Sequence, residues 1–469
     1  MRASARAPLP GATPSRPRRR PARAATAAAA TLADGLTAWL VARGALAADK
    51  AAVVVTPQLT LAAARALPRG APALAVPEAA WIGAAAVAAS PVGPATAGLE
   101  PWLRIALALL RARVDPGDAL APYAASLPAD PDAPVFWSDA ELAELAGTQV
   151  GDGVAGYRAY FAERFAELDA SIFSKDRALF PEAAFSAAAF AWAAATVRAR
   201  VHAPLDGADA AIVPGADLAA HARRGGALRL GAAGPLGTGG RVARLEAATD
   251  LAPGDPVTLD AGPGRSDSQV LLDYGALDPL SPAPAYSLTL ALPPGDRFFD
   301  DKVAVAEAAG LGESATFSLA PDAPPPAASL AFLRLMNLGD DDAFLLEPVF
   351  AGQVWGFLQD PVSAPNEAAV CAGMADGCAA AAARVAGDAV VDAAALAGGA
   401  LARRAAMAVR ARSGERDALL AAARWFSGRR ESLAALEYYQ ERRLRSLGLL
   451  DDDGRPSATY DDFFRDGVA

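Results

Sequence analysis

Residues Gln353–Glu367 read QVWGFLQDPVSAPNE, a string that closes one stretch of helical periodicity, Ala343–Leu358, and opens the next, Pro365–Val385. Apolar side chains that recur every three to four residues mark one buried helix face. The same period runs outward, through Leu330–Leu338 before the string and Ala393–Arg412 and Gly414–Leu447 after it. This part of the chain therefore predicts an all-α domain with charged faces outward. Upstream of it, Pro321–Pro326 (PDAPPP) reads as a stiff linker. Before the linker the signals are mixed. Ala38–Ala47, Leu99–Arg113, Asp139–Ala146, Val154–Ala170 and Ala184–Arg200 read as helices. Short β-like runs lie at Ala52–Thr56, Leu59–Ala63, Leu74–Val76, Ile212–Leu218, Val242–Ala248 and Pro256–Asp260. The fold class is α+β, a domain of many short strands followed by a helical one.

Composition narrows the function. In 469 residues, 53 % are hydrophobic and 20 % charged, enough to bury a core and too apolar for wholesale disorder. Alanine supplies roughly a quarter of the chain, and a methyl side chain adds little burial energy. A net charge of −10 argues against nucleic acid as the main partner. Cys371 and Cys378, seven residues apart on a helical pattern, read as two small core residues rather than a disulfide framework. With only His202 and His221, no His-rich metal cluster is available. The longest apolar stretch, Ala183–Val197, is short, mostly alanine and broken by Ser186, so no membrane span is expected. Gly225–Gly240 lacks the Lys-Ser/Thr pair of a phosphate loop and reads as a surface loop. Residues 1–33 hold seven arginines among Ala, Ser, Thr and Pro and no acidic residue, the signature of an organelle transit peptide. A disordered leader is expected there, and an acidic tail over 451–469.

Longer strings carry a resemblance. DYG (Asp273–Gly275), AYSLTL (Ala285–Leu290), RFFDDK (Arg297–Lys302), DDAFLLE (Asp341–Glu347), the opening string and EYYQERRLRSLGLL (Glu437–Leu450) follow one another in the chain. Looser matches precede them: PWL (Pro101–Leu103), VFWSDAEL (Val135–Leu142), LFPE (Leu179–Glu182) and VPGADLAAH (Val213–His221). In this order the strings resemble the plastid SET-domain protein-lysine methyltransferases, the group of the Rubisco large-subunit methyltransferase. The resemblance implies a SET fold of small β-sheets over 36–278, with a helical insert at about 83–185. It further implies a connecting segment at 279–326 and a helical substrate-binding domain at 327–450. The implied activity is methyl transfer from S-adenosylmethionine to a lysine of a plastid protein, Rubisco large subunit or fructose-bisphosphate aldolase, in the chloroplast stroma.

Such a reaction needs sulfur, methyl and nitrogen held in line, a deprotonated lysine and no water. In the family a Glu-Gly-x-Gly turn wraps the cofactor, an Asn-His pair closes over the adenine, and a tyrosine hydroxyl stands near the methyl. Here the turn corresponds to Thr56–Leu61, TPQLTL, with Pro57 at the acidic position and Gln58 and Thr60 at the glycines. Leu59 and Leu61 are thereby implied to flank the cofactor. The Asn-His pair reads Ala220-His221, so His221 is retained and the amide is not. Ala261 stands where a tyrosine is expected, while Tyr274 of DYG is retained as the catalytic candidate. Arg200 and Asp217 match family positions near the substrate lysine. Each of these residues also has a plain structural reading: a core histidine, a buried tyrosine, an arginine at a helix C-terminus. Two functions stay open, an active lysine methyltransferase and a SET-fold protein with a degenerate pocket that only binds a plastid partner.

Overall fold

The computed structural model describes residues 21–455 except 48, 50, 203–209, 234–238, 351 and 452. The helix expected at Leu99–Arg113 forms over Pro101–Val114, where Pro101 presets the first helical φ. Its Leu103, Leu107 and Leu110 are buried as the spacing required, and Ile105, Ala106 and Leu109 are buried with them. Burial on all sides exceeds an amphipathic stripe, and each such leucine contributes about 1.5–3 kcal/mol.

Two compact units divide the chain, and neither is continuous in sequence. The first comprises residues 1–127, 201–220 and 225–259. Its largest sheet has three antiparallel strands, Pro72–Pro77, Arg241–Glu246 in the centre and Leu228–Ala232. Val53–Val55 and Leu61–Ala63 form a hairpin, and Val201–His202 pairs with Ala211–Ile212. The glycine-rich segment expected as a loop is strand over Leu228–Ala232. Gly226, the last residue of the strand Ala220–Gly226, is also not a loop glycine: a Cβ there would lie 2.1 Å from the Glu246 carbonyl oxygen, so it serves close strand approach. Of the expected run Ile212–Leu218, only Ile212 is strand; Gly215 at φ +92° turns the chain into a 3-10 turn, Ala216–Leu218. The N-terminal helix begins at Pro21, inside the stretch expected to be disordered, and runs to Ala42. Residues 1–20 and the acidic tail beyond 455 lie outside the described residues.

The second unit comprises residues 128–200, 221–224 and 260–469. Helices Gln149–Ser171, Ala187–Arg200 and Asp267–Tyr274 pack together in it. A two-stranded antiparallel ribbon, Tyr286–Ala291 with Ser314–Leu319, leads into helices Ala327–Met336, Ala364–Arg384, Ala389–Gly398, Arg403–Glu431 and Tyr439–Ser446. Ala343–Leu358 is not one helix. Pro348 forces Glu347 into an extended conformation (ψ 146°), leaving 3-10 turns and the four-residue helix Val354–Phe357. Gly399, left-handed at φ +64°, breaks the expected helix Ala393–Arg412. The next helix instead runs unbroken through Gly414, whose absent Cβ would sit 2.9 Å from Pro284 Cβ.

A buried ion network ties the helical region together. Arg334 donates from Nε and Nη2 to the two Glu367 oxygens at 2.8 and 3.2 Å, and from Nη1 to the carbonyls of Leu358 and Gln359. Arg429 makes a third contact to Glu367. These partners hold the Glu367 carboxyl below the usual carboxylate range, although burial alone would raise it. Cys371 and Cys378 are buried on helix Ala364–Arg384, and burial pushes the Cys378 thiol up to about 11. Among the described residues no single helix is long and apolar enough to cross a membrane.

Candidate active site

Within the first unit, the turn Thr56–Thr60 joins the hairpin strands and is closed on itself. The Thr56 N–H donates to the Thr60 carbonyl at 2.8 Å and the Leu59 N–H to the Thr56 carbonyl at 2.9 Å. Thr60 N–H donates to Thr56 Oγ1 at 3.3 Å, and the two hydroxyls lie 2.8 Å apart. Pro57 has no N–H, so the Gln58 amide is the turn donor left over. Leu59 is half-buried with φ +57°, the one non-glycine residue among those described in the left-handed region. Leu61 is buried, paired across the hairpin with Val55.

Asp217, also in this unit, is held by its neighbours. Its Oδ2 accepts from the buried Tyr123 hydroxyl at 2.6 Å, and its Oδ1 from the Gly215 N–H at 2.9 Å. His202 lies within electrostatic reach of Asp217. Burial pushes its pKa down despite that carboxylate, and its Nε2 has no hydrogen-bond partner among the described residues.

In the second unit His221 is almost fully enclosed. The Ala261 N–H donates to its Nδ1 at 3.3 Å, which assigns the ring proton to Nε2. That Nε2 is buried and has no partner among the described residues. Burial lowers the His221 pKa, with Asp260 at 4.0 Å opposing, so the ring is neutral at pH 7.

Tyr274 ends the helix Asp267–Tyr274. Ser266 and Gln269 close a capping box at its start, and left-handed Gly275 (φ +62°) ends it. Only glycine fits at 275, since a Cβ would lie 2.5 Å from the Ala133 nitrogen. Beside Tyr274, Asp273 accepts from Arg198 Nε and Nη2 at 3.0 and 2.7 Å, from Arg265 Nη1 at 2.5 Å and from the Tyr157 hydroxyl at 3.3 Å. The Arg265 guanidinium stands 5.7 Å from the Tyr274 ring centroid. Burial raises the Tyr274 pKa, with Arg265 opposing, and the phenol stays protonated at pH 7. Asp260 acts electrostatically on both His221 and Tyr274.

The second unit thus gives His221 and Tyr274 a shared neighbour in Asp260, while Leu59, Leu61 and Asp217 belong to the first. Arg200 is the half-buried last residue of helix Ala187–Arg200 in the second unit. Sequence reasoning missed the hub at Asp273 and its donors Arg198, Arg265 and Tyr157. The signal available was the acid inside the DYG string, directly preceding the tyrosine.

Comparison with known proteins identifies the class. The family model "Rubisco LSMT substrate-binding" matches residues 293–419. The Arabidopsis thaliana chloroplastic [fructose-bisphosphate aldolase]-lysine N-methyltransferase is 33 % identical, over 89 % of this chain and 87 % of its own. The Pisum sativum chloroplastic Rubisco large-subunit N-methyltransferase is also 33 % identical, over 89 % and 86 %. A crystal structure of the SET domain of LSMT bound to lysine and AdoHcy superposes with a TM-score of 0.81. It is 31 % identical, covering 94 % of this chain and 99 % of that one. A structure of Rubisco LSMT bound to AdoMet gives 0.78 at 32 % identity, covering 90 % and 98 %. The fold is a SET domain with a helical substrate-binding region. The chain belongs to the Rubisco large-subunit methyltransferase family of SET-domain protein-lysine methyltransferases.

Proposed function

We propose that this protein is an S-adenosylmethionine-dependent protein-lysine N-methyltransferase of the chloroplast stroma, acting on a plastid protein such as Rubisco large subunit or fructose-bisphosphate aldolase. Residues 36–278 form the methyl-transfer domain, with the helical insert at about 83–185. Residues 327–450, reached through 279–326, dock the substrate protein. Residues 1–33 direct import.

The observation that carries this reading is the environment of Tyr274. Two guanidiniums, Arg198 and Arg265, converge on the carboxylate of Asp273, and the charges acting on the Tyr274 phenol, these two against Asp273 and Asp260, balance, so burial dominates and keeps the phenol neutral. The same burial disfavours an ammonium and favours the neutral, nucleophilic amine of an incoming lysine. The neutral phenol can then hold the amine by a hydrogen bond and aim its lone pair.

The cofactor, when bound, supplies the electrophilic methyl. Within the second unit the buried Nε2 of His221, which has no partner among the described residues, fits a polar atom of the cofactor. Leu59 and Leu61 are proposed to contact the cofactor, and Arg200 and Asp217 the substrate lysine, each on its place in the matched strings.

A second reading has its own support. The self-closed Thr56–Thr60 turn and Ala261 favour a protein that keeps the fold and the docking region without turnover. Calorimetric titration of the full-length protein with S-adenosylmethionine separates the two. Micromolar binding, followed by methyl incorporation into Rubisco or aldolase that falls about 100-fold or more in Tyr274→Phe, supports the enzyme. No heat at millimolar cofactor overturns it and leaves the binding role.

A further inference from the structure

The helical region contains a cavity of about 680 Å³ that the chemistry above does not use. Its charged lining groups among the described residues, Asp341, Asp342 and Glu441, are all acidic, with no lysine or arginine beside them. Phe344, Tyr438 and Tyr439 supply aromatic walls, with Tyr439 packed on Phe344 at 5.9 Å between ring centroids.

The polar groups are already sorted by their internal bonds. Asp342 accepts from the Ser363 hydroxyl at 2.5 Å, Glu441 from the Tyr438 N–H at 3.1 Å, and the Tyr438 hydroxyl donates to the Leu433 carbonyl at 2.6 Å. Asn366 also lines the cavity and is only 3 % exposed. Its Nδ2 donates to the Arg334 carbonyl at 3.1 Å, which fixes Oδ1 as an acceptor, and that Oδ1 is buried without a partner among the described residues. An orphaned buried acceptor is costly unless a donor reaches it. The cavity therefore offers spare acceptors, negative charge and aromatic faces. This combination suits a planar cation with several N–H donors, a guanidinium above all.

We propose that this cavity takes an arginine side chain of the substrate protein and so sets which partner docks. The proposal rests on the reading that the helical region binds a protein substrate.

Titration of the full-length protein with acetyl-Gly-Arg-Gly-amide, and with its citrulline counterpart, tests the proposal without the cofactor. The arginine peptide is expected to bind, more weakly as salt is raised, and the neutral citrulline peptide to bind about tenfold less tightly or worse. Asp341→Asn and Glu441→Gln keep side-chain shape and the Tyr438 cap, and together should weaken the arginine peptide about tenfold. Equal binding of the two peptides, no binding at millimolar arginine peptide, or an unchanged double variant would overturn the proposal.

The methyltransferase reading is scored separately by methyl incorporation into Rubisco or aldolase. There the double variant should raise KM with kcat unchanged. Arginine-peptide binding by a protein inactive on every substrate would keep the cavity and discard the enzyme. Methylation at unchanged KM would do the reverse.

Discussion

At the scale of single residues, the hub at Asp273 is the most exposed to test. Asp273→Asn would leave Arg198 and Arg265 facing each other without their carboxylate. Because both arginines are partly solvated, the expected cost is about 1–2 kcal/mol in urea denaturation. Any methyl-transfer activity should fall together with the orientation of Tyr274. His221 gives a pH test. Its folded pKa lies below the unfolded 6.5, so the unfolded chain binds the proton first. Its stability contribution is full above pH 6.5 and drains as pH falls through the folded value. His202 has the same sign, whereas Glu415, pushed up by burial, favours the folded state as pH falls. The comparison of Tm against pH between the parent and His221→Gln isolates the term; a flatter curve below pH 6.5 is expected in the variant. His221 and Tyr274 are singled out in the sequence because they sit inside strings that keep their order. Their neighbours are not, since Arg198 and Asp273 lie 75 positions apart and only folding joins them.

At the scale of elements, the helical region depends on the buried charges at Glu367. Glu367→Ala would strand Arg334, itself 1 % exposed, without a counter-ion. Breaking a buried pair from one side costs about 3–5 kcal/mol. Urea unfolding should register a loss of that size, while Arg334→Met/Glu367→Leu together should recover much of it. Gly226→Val, which places side-chain atoms against the Glu246 carbonyl, should prevent the strand approach there and appear as loss of folded protein on expression. Periodicity read the long helices well, because Leu103, Leu107 and Leu110 must share a face wherever the helix packs. It failed where one residue decides. Pro348 divided a helix that the apolar spacing had joined, and Gly414 continued one that had been divided. Gly226 served a strand in a segment whose composition reads as loop. Glycine is ambiguous in a sequence because the reason for it, an absent Cβ against a specific atom, exists only after folding.

At the scale of the whole molecule, the family and the α+β class were legible, since the matching strings span most of the chain. The division into units was not, because contacts across hundreds of residues leave no local mark. Import is testable without disturbing the fold: residues 1–33 fused to a fluorescent reporter should carry it into plastids. Diffuse fluorescence outside them would remove the targeting role. The discontinuity of the first unit has a consequence for synthesis. Strand Pro72–Pro77 needs Arg241–Glu246 as its neighbour, and the unit is complete only when residue 259 has emerged. A ribosome or an import pore delivers the chain from its N-terminus, so strand Pro72–Pro77 must wait without its sheet neighbour until Arg241–Glu246 has been delivered. A nascent chain stalled before residue 241 should stay sensitive to protease and bound by chaperones, and one released past residue 259 should gain protection in a single step.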